Sequence, residues 1–464
     1  MAVQVTLVRT YDFAAGQDQT FLSLLDYTDG FSLAYDGWQQ VVASDRDDRV
    51  AEALTLHARG DDHDDLAGIL QALDDRIEQA GWHEDSIERY GIWLRAQLED
   101  ETNIRQALVT SASLGPMTLM ARPASPGNFL RRYSLILERM PWWEANVWDS
   151  YSELGISCLG GMSSYGTVYG NKPARIARTR FEGSTSGGPG AGDEGLYEFW
   201  MGFRTDRFGD QTNFVPVWDI GEANDSTAYN DTTSVADGSA YGGYLWRCTF
   251  GDESLLIRVG AVLQSFTSDY ADQRGEYTVL LRARVGADTA CHVQLKDGFV
   301  YTAALRAQPR VPISSTNWFL YPLGTVRIPP SRGIVEAGFL RFYGFELFAS
   351  RTAGSGNLDI DCLVLIPCAE GSIHVSGGGV KYILGDYRPI EVRMFPNRDS
   401  DGWWYTSNNP YATVAVEPNE YGLPVGAGSL VLAGQRETEG HDLNDYATVR
   451  LYAFRRYRTL RGAG

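Results

Sequence analysis

The spacing of hydrophobic residues changes character along this chain, and that change predicts its first elements. Over 3–7 and 50–58, hydrophobic and polar residues alternate as they do in β-strands with one buried face. Over 62–80 the period becomes helical, and the apolar stripe consists of Leu66, Ile69, Leu70, Leu73 and Ile77. Acidic residues precede this stripe and Gly81 follows it, which are start and stop signals, so we predict a helix at 62–80.

Strand patterns resume directly after the predicted helix. Alternating segments cover 90–98, 104–110 and 130–139. An order of strands, one helix and more strands is typical of an α+β arrangement in which the helix lies on a sheet. We therefore expect a mainly β fold whose N-terminal part is a β-sandwich with one helix.

Glycine-rich segments divide the rest of the chain. The stretch 183–195 has the composition of a linker, and a second break falls at 376–379. Between them lie about eight aromatic-rich strand patterns, which favour a jelly-roll sandwich. The predicted organisation is therefore three parts, namely 1–180, a jelly-roll or carbohydrate-module-like sandwich at 181–375, and a β-rich segment at 376–464 that completes an earlier sheet or stands alone.

Composition narrows the classes of function. Formal net charge is −19, which argues against direct nucleic-acid binding through phosphate contacts. No apolar run approaches the ~18 residues of a membrane span, and the N-terminus shows no secretory signal. The five cysteines form no CxxC pair, which predicts buried small hydrophobic residues in a reducing compartment.

The sequence contains no HExxH, GxSxG or P-loop motif, and its six histidines are scattered. We therefore expect no enzyme activity and no cofactor. One weak calcium pattern consists of Asn397, Asp399 and Asp401, but Asn408 stands where a calcium loop needs a bidentate acid. A plain polar turn is the preferred interpretation, and structural calcium stays open.

Two further patterns suit carbohydrate chemistry. Asp359 and Asp361 lie on one strand and resemble a glycosidase acid pair, although two acids on a solvated sheet face are the simpler interpretation. Exposed aromatic side chains stack on sugar rings, and the candidates near long acidic loops are Trp218, Tyr229 and Tyr241. The alternative for aromatic residues on strands is that they fill the core of the sandwich.

Three tryptophans and an arginine cluster stand out as candidate interface residues. Trp142 and Trp143 follow Pro141, which ends a strand, and Trp148 comes soon after. Near the C-terminal end of the sequence the candidates are Arg455, Arg456 and Arg458. We predict that the tryptophans pack against the chain's next segment or a neighbouring subunit. The arginines either pair with an acidic neighbour or form a solvated face.

The N-terminal third resembles the distal tail protein family of long-tailed bacteriophages. The resemblance rests on the order of five segments: DGFSLAYDGWQ (29–39), VAEALTLHARG (50–60), DDLAGILQALDDRIEQA (64–80), IWLRAQLEDETNIRQALV (92–109) and LRRYSLILERMPWWE (130–144). In that family, a tail-tube-like sandwich with one helix closes into a ring, often with a galectin-like or carbohydrate-module-like sandwich outside. The motifs are loose, none is catalytic, and no functional residue is transferred from them.

The resemblance implies a structural virion protein, made in the host cytoplasm and located in the tail. Its expected role is a baseplate ring subunit, a homo-oligomer that links tail-tube protein to hub or fibre proteins of the host-attachment apparatus. The jelly roll is then a candidate reader of host-surface glycans. The alternatives are a glycan-binding jelly-roll protein without a ring, a glycosidase, and a fibre adaptor or decoration protein.

Overall fold

The computed structural model describes most of the chain. The described residues are 2–10, 20–38, 49–80, 91–99, 102–115, 129–147, 149–184, 196–205, 217–219, 232–250, 257–262, 275–299, 305–328, 343–368, 372–376, 390–396, 403–407, 413–416, 422–438 and 440–460. Within them the fold is mainly β with a single α-helix, as the sequence predicts.

The first elements form the N-terminal part, for which the sequence predicts strands and one helix. They are β1 (Ala2–Thr10), β2 (Thr20–Ser23), β3 (Phe31–Trp38), β4 (Val50–Gly60), α1 (His63–Ala80), β5 (Gly91–Leu98), β6 (Arg105–Leu114), β7 (Phe129–Arg139), β8 (Trp143–Ala145), β9 (Asp149–Ser157), β10 (Leu159–Val168) and β11 (Lys172–Ser184). The helix predicted at 62–80 is confirmed to within one residue. Its stripe contributes Leu66 and Leu73 to the core, where both are buried.

Later strands follow the aromatic-rich segments. They are β12 (Glu198–Thr205), β13 (Val217–Asp219), β14 (Thr232–Ala236), β15 (Tyr244–Thr249), β16 (Ile257–Val262), β17 (Gly275–Val285), β18 (Ala290–Phe299), β19 (Arg306–Ile313), β20 (Phe319–Ile328), β21 (Tyr343–Ala353) and β22 (Asn357–Pro367). The remaining strands are β23 (Ser372–Ser376), β24 (Ile390–Pro396), β25 (Trp403–Ser407), β26 (Thr413–Val416), β27 (Gly422–Leu423), β28 (Gly426–Gln435) and β29 (Tyr446–Tyr457).

In the described part of the chain these strands form four sheets. Sheet I has the order β2-β1-β5-β6-β8-β29-β11-β24-β25, with β3, β4, β7, β9 and β27 attached to it. Sheet II has the order β10-β28-β12-β23-β26. Sheet III is β14-β15-β22-β17-β20, with β13 beside β22, and sheet IV is β16-β21-β18-β19. All strand pairings within the described residues of these sheets are antiparallel.

The sheets are stacked, and each interface has its own hydrophobic core. Helix α1 packs on sheet I through residues such as Leu66 and Leu94. Sheet I meets sheet II around stacked Phe181 and Phe199, with ring centroids 5.1 Å apart. Sheet II meets sheet III, and sheet III meets sheet IV across the interior of the outer sandwich. Sheets II and III are therefore covered on both faces, which explains the almost continuous burial of β28 and β22.

Two strands from the last part of the chain complete sheets begun much earlier. β28 pairs with β10 and β12 in sheet II, and β29 pairs with β8, β9 and β11 in sheet I. The residues of sheets III and IV lie between these segments in sequence. The division into 1–180, 181–375 and 376–464 stays a prediction, and strand pairing links its first and third parts.

One sequence interpretation is wrong. Asp359 and Asp361 were expected on a solvated face, but both are buried, and Asp361 is 0% exposed. The cause is a β-bulge and a covering layer: Arg282 is opposite Cys362, whereas Ala283 is opposite Ile360, so Asp361 has no partner in the register. Asp361 is enclosed by Arg282 and the Tyr241 amide, and Asp359 is paired with Arg247 and Arg284.

Candidate functional site: a basic and aromatic end of sheet I

Strand β8 brings together segments that are far apart in sequence. Its Glu144 is opposite Gln106 of β6 on one side and opposite Arg456 of β29 on the other. Trp143 is likewise opposite Tyr457. The tryptophan segment and the arginine segment, both predicted as interface residues, therefore meet where the central strand β29 ends, and we call this side of the strands the end of sheet I.

Glu144 holds this end together electrostatically. Arg175 donates from Nε to Oε1 at 2.8 Å and from Nη2 to Oε2 at 2.7 Å, and Arg456 donates from Nε to Oε1 at 3.0 Å. Burial raises the pKa of Glu144, but the charges and hydrogen bonds of the two arginines outweigh it and bring the pKa below its ordinary value. One carboxylate thus binds two guanidinium groups at this end of the sheet.

The two adjacent tryptophans have different environments. Trp143 is 0% exposed, its ring centroid is 6.1 Å from that of Trp38, and the Arg139 guanidinium lies 4.5 Å from it. Arg139 in turn donates from Nε to Glu52 at 3.0 Å. Trp142 points the other way: it is half-buried, and the Lys172 ammonium lies 4.7 Å from its ring centroid. Trp143 therefore serves the chain's own core, and Trp142 reaches the surface.

Around Trp142 the surface is both apolar and basic. Tyr169 is 65% exposed, and Arg458 is exposed as well. We call Trp142, Tyr169, Lys172 and Arg458 the sheet-end patch. Arg455 and Arg456 lie behind it. Arg455 is paired with Asp149 at 2.7 Å, and Arg456 is paired with Glu144. Trp148 lies outside the described residues.

The turn that carries Tyr169 and Lys172 is fixed to β29 through the main chain. The Asn171 amide donates to the Arg456 carbonyl at 3.0 Å, and the Arg458 amide donates to the Asn171 side chain at 3.2 Å. Gly170 has a φ of +141°, and a Cβ placed on it would lie 2.6 Å from the Arg456 carbonyl oxygen. Glycine is required there, so the sheet-end patch is held on a rigid support.

Three solved structures that resemble this chain are of two kinds. Two are carbohydrate-binding modules: TmCBM61 in complex with β-1,4-galactotriose (16% identity, 31% of this chain and 86% of that one, TM-score 0.21), and the tandem CBM22 domain of Paenibacillus barcinonensis Xyn10C (7%, 51% and 96%, TM-score 0.22). The third is the phage P2 baseplate in its activated conformation with Ca (10%, 79% and 99%, TM-score 0.20). No protein-family model and no curated protein matches the chain. With TM-scores of this size, the likeness transfers no function to this chain.

Of the residues predicted to contact a glycan, Trp218 and Tyr241 are among the described residues and Tyr229 is not. Tyr241 is 37% exposed and belongs to a 3-10 turn, Tyr241–Gly243, whose first amide donates to Asp361 at 2.9 Å. Trp218 lies on β13 opposite Leu363, so its backbone is close to the same part of β22. Tyr229 and the calcium candidates Asn397, Asp399 and Asp401 lie outside the described residues. Among the residues that are described, no cluster of His, Cys, Asp and Glu is arranged for a metal ion.

A buried charge network that the sequence did not reveal supports this turn. Arg282 is paired with Asp361 and donates to His441 Nδ1 at 3.1 Å and to the His441 carbonyl at 3.2 Å. Its guanidinium lies 4.6 Å from the Trp318 ring centroid. Because His441 is far along the sequence in the segment after β28, only the folded chain brings these groups together. The network joins sheet III to that segment.

The protonation of His441 should make stability depend on pH. Burial, together with the charge of Arg282, lowers the pKa of His441 to about 3, against an ordinary 6.5. Between these values the unfolded chain binds a proton that the folded chain does not, so stability falls as pH falls, by about 1.4 kcal/mol per pH unit. The variant His441→Asn lacks this term. We expect its deficit in free energy of unfolding, measured with urea, to shrink by about 2 kcal/mol between pH 7 and pH 5.

The matched control for this measurement is Gln71→Asn, a change at an exposed side chain of α1 that does not ionise. Its difference from the wild type should be the same at both pH values. A constant deficit for His441→Asn across the range would show that His441 is protonated in the folded chain.

The structure also bears on the expectations about the cysteines and about membrane-spanning segments. Cys158, Cys248, Cys291 and Cys362 are buried, as predicted, whereas Cys368 is partly exposed, and all five thiols are free. Within the described ranges, no helix has the length and hydrophobicity needed to cross a membrane.

Proposed function

We propose that this chain is a non-enzymatic structural protein of a phage tail, a distal tail ring subunit that links the tail tube to the host-attachment apparatus. The observation that carries the proposal is the sheet-end patch. Aromatic and basic side chains of Trp142, Tyr169, Lys172 and Arg458 come together where β29 ends, in a chain with a net charge of −19. A surface of this kind is typical of a protein interface, where aromatic residues and arginine are enriched.

The support for this surface favours assembly over catalysis. Interface residues must be held in position to give affinity, and here Gly170, Asn171 and Glu144 fix the patch to the central strand β29. The position of the helix-bearing sheet at the N-terminus agrees with the sequence resemblance to distal tail proteins. The outer sandwich of sheets III and IV then corresponds to the domain that such proteins carry outside the ring.

Imaging and mass measurement of the purified chain test the proposal. Mass photometry should give one discrete multiple of the 51.3 kDa chain at micromolar concentration, and negative-stain images should show closed rings. Rings are expected because head-to-tail contacts between two different surfaces form a closed ring when the rotation between neighbouring subunits is a whole fraction of a full turn. A particle that remains a monomer, both alone and with tail-tube protein of its own phage, would contradict the proposal.

A further inference from the structure

Arg95 differs from three other buried arginines of this fold. Arg139, Arg175 and Arg282 are each paired with a carboxylate. Arg95, on β5, is 6% exposed, yet in the described part of the chain its only side-chain hydrogen bond runs from Nη2 to the neutral Gln106 Oε1, at 3.0 Å. Burial lowers the pKa of Arg95, but a guanidinium still keeps its proton at neutral pH. Among the described residues it is therefore a buried positive charge without a carboxylate partner.

Polar atoms on both sides of Arg95 share this lack of partners. Arg95 is opposite Thr6 of β1 and opposite Gln106 of β6, and residues that are directly opposite in a sheet project from the same face. Within the described ranges, three buried atoms of this row have no hydrogen-bond partner, namely Thr6 Oγ1, Arg95 Nε and Gln106 Nε2. Buried polar atoms are nearly always bonded, so three in one row require an explanation. We call these three residues the polar row.

The polar row needs a negatively charged acceptor. Its two unbonded nitrogen atoms are N–H donors, and its hydroxyl can donate as well. The residue on the far side of Gln106 in the sheet is Glu144, whose carboxylate is bound to Arg175 and Arg456. A buried charge is normally paired, so a group from outside the chain is the missing partner.

We propose that the polar row binds a carboxylate group. One guanidinium supplies one positive charge, which one carboxylate balances, whereas a phosphate group carries about 1.5–2 negative charges at pH 7. Carboxylate oxygens also form short, strong hydrogen bonds with guanidinium donors. This inference goes beyond the proposed function and does not depend on it, because the polar row lies within a single chain.

Phe21 marks the side from which the carboxylate enters. Its side chain is 49% exposed, and its ring centroid lies 5.4 Å from the guanidinium carbon of Arg95. The cation–π contact compensates part of the Arg95 charge while no carboxylate is bound. Phe21 belongs to the four-residue strand β2 at the edge of sheet I, and in the proposed site its ring moves aside to admit the ligand.

Hydrogen exchange of the full chain at pH 7, read by mass spectrometry, tests the site with acetate as the probe. With a Kd of about 10 mM, acetate at about 100 mM should slow exchange of the β1, β5 and β6 amides about tenfold relative to chloride at the same concentration. Acetamide has the same shape without the charge and should have no effect. The amides of sheet IV serve as an internal reference and should exchange equally in all three solutions.

Substitutions in the polar row make the test specific. Arg95→Gln should abolish the effect of acetate. Thr6→Asp places a carboxylate of the chain itself opposite Arg95, so it should slow exchange of β5 in chloride and remove the response to acetate. The matched control is Arg306→Gln, at an exposed arginine of sheet IV, which should respond to acetate as the wild type does. Thermal unfolding checks that each variant is folded.

Mass photometry of the same samples distinguishes two sources of the carboxylate. If an acidic side chain of a second copy occupies the polar row, acetate and Arg95→Gln should each lower the assembled fraction. If the ligand is a soluble carboxylate, neither should change that fraction. Equal exchange in acetate, acetamide and chloride together with an unchanged assembled fraction would overturn the inference, as would an acetate effect that persists in Arg95→Gln. Each of these results is independent of whether the chain forms rings, so it leaves the proposed function standing.

Discussion

Replacing Glu144 with Gln should destabilise the protein by about 3–5 kcal/mol. The change preserves the size of the side chain and removes the carboxylate that binds both Arg175 and Arg456. Arg175 is 2% exposed, so its buried guanidinium would lose this counter-charge. An uncompensated buried charge costs more than the pair contributes, which is why this small substitution has a large effect.

Urea unfolding of the full chain at pH 7 measures this loss. The control is Glu138→Gln, an exposed carboxylate on β7 that binds Ser111 at 3.0 Å, and its effect should be below about 1 kcal/mol. The sign of the pH dependence follows from the lowered pKa of Glu144. Its contribution is present above the unfolded value of about 4.5 and is lost as pH falls through the folded pKa, so wild type and variant converge in acid. Equal losses for the two variants at pH 7 would contradict the compensating role of Glu144.

The second large effect is expected from Asp361→Asn in the network of sheet III. Arg282 and Asp361 are 1% and 0% exposed, and His441, the other polar side chain shown bonded to Arg282, is neutral at pH 7 because its pKa is about 3. Removal of the carboxylate charge should therefore cost about 3–5 kcal/mol in free energy of unfolding. The same carboxylate accepts from the Tyr241 amide, so hydrogen exchange at that amide should accelerate.

Asp288→Asn is the matched control for this substitution. Asp288 is exposed and has a φ of +59°, a conformation that asparagine adopts readily, so the change should be close to neutral. If Asp361→Asn unfolds at the same urea concentration as the control, the Arg282 network does not depend on the charge of Asp361.

Sequence patterns predicted the elements that depend on local spacing. The 62–80 helix follows directly from its apolar stripe, and the strands at 50–58 and 130–139 follow from their alternation. The same patterns could not predict partners that meet only in the folded chain. Nothing near Glu144 indicates that β29, about three hundred residues later, supplies its second arginine.

The misassigned environment of Asp361 has a specific physical cause. Asp361 lies at a single-residue bulge and is enclosed by Arg282 and the Tyr241 turn, and alternation reports neither. For the tryptophan pair, the sequence does not show which of the two residues is buried, because their surroundings come from other strands. Trp143 is the buried one because Trp38 and Arg139 form its surroundings.

The placement of β28 and β29 has a consequence for biosynthesis. Both strands are central in their sheets, yet they are translated after the whole outer sandwich. On the ribosome, sheets III and IV are complete once residue 367 has emerged, while sheets I and II still lack a strand in the middle. For the seconds needed to translate the next ninety residues, the N-terminal part exposes unpaired strand edges, and it is then most open to aggregation and to the binding of chaperones.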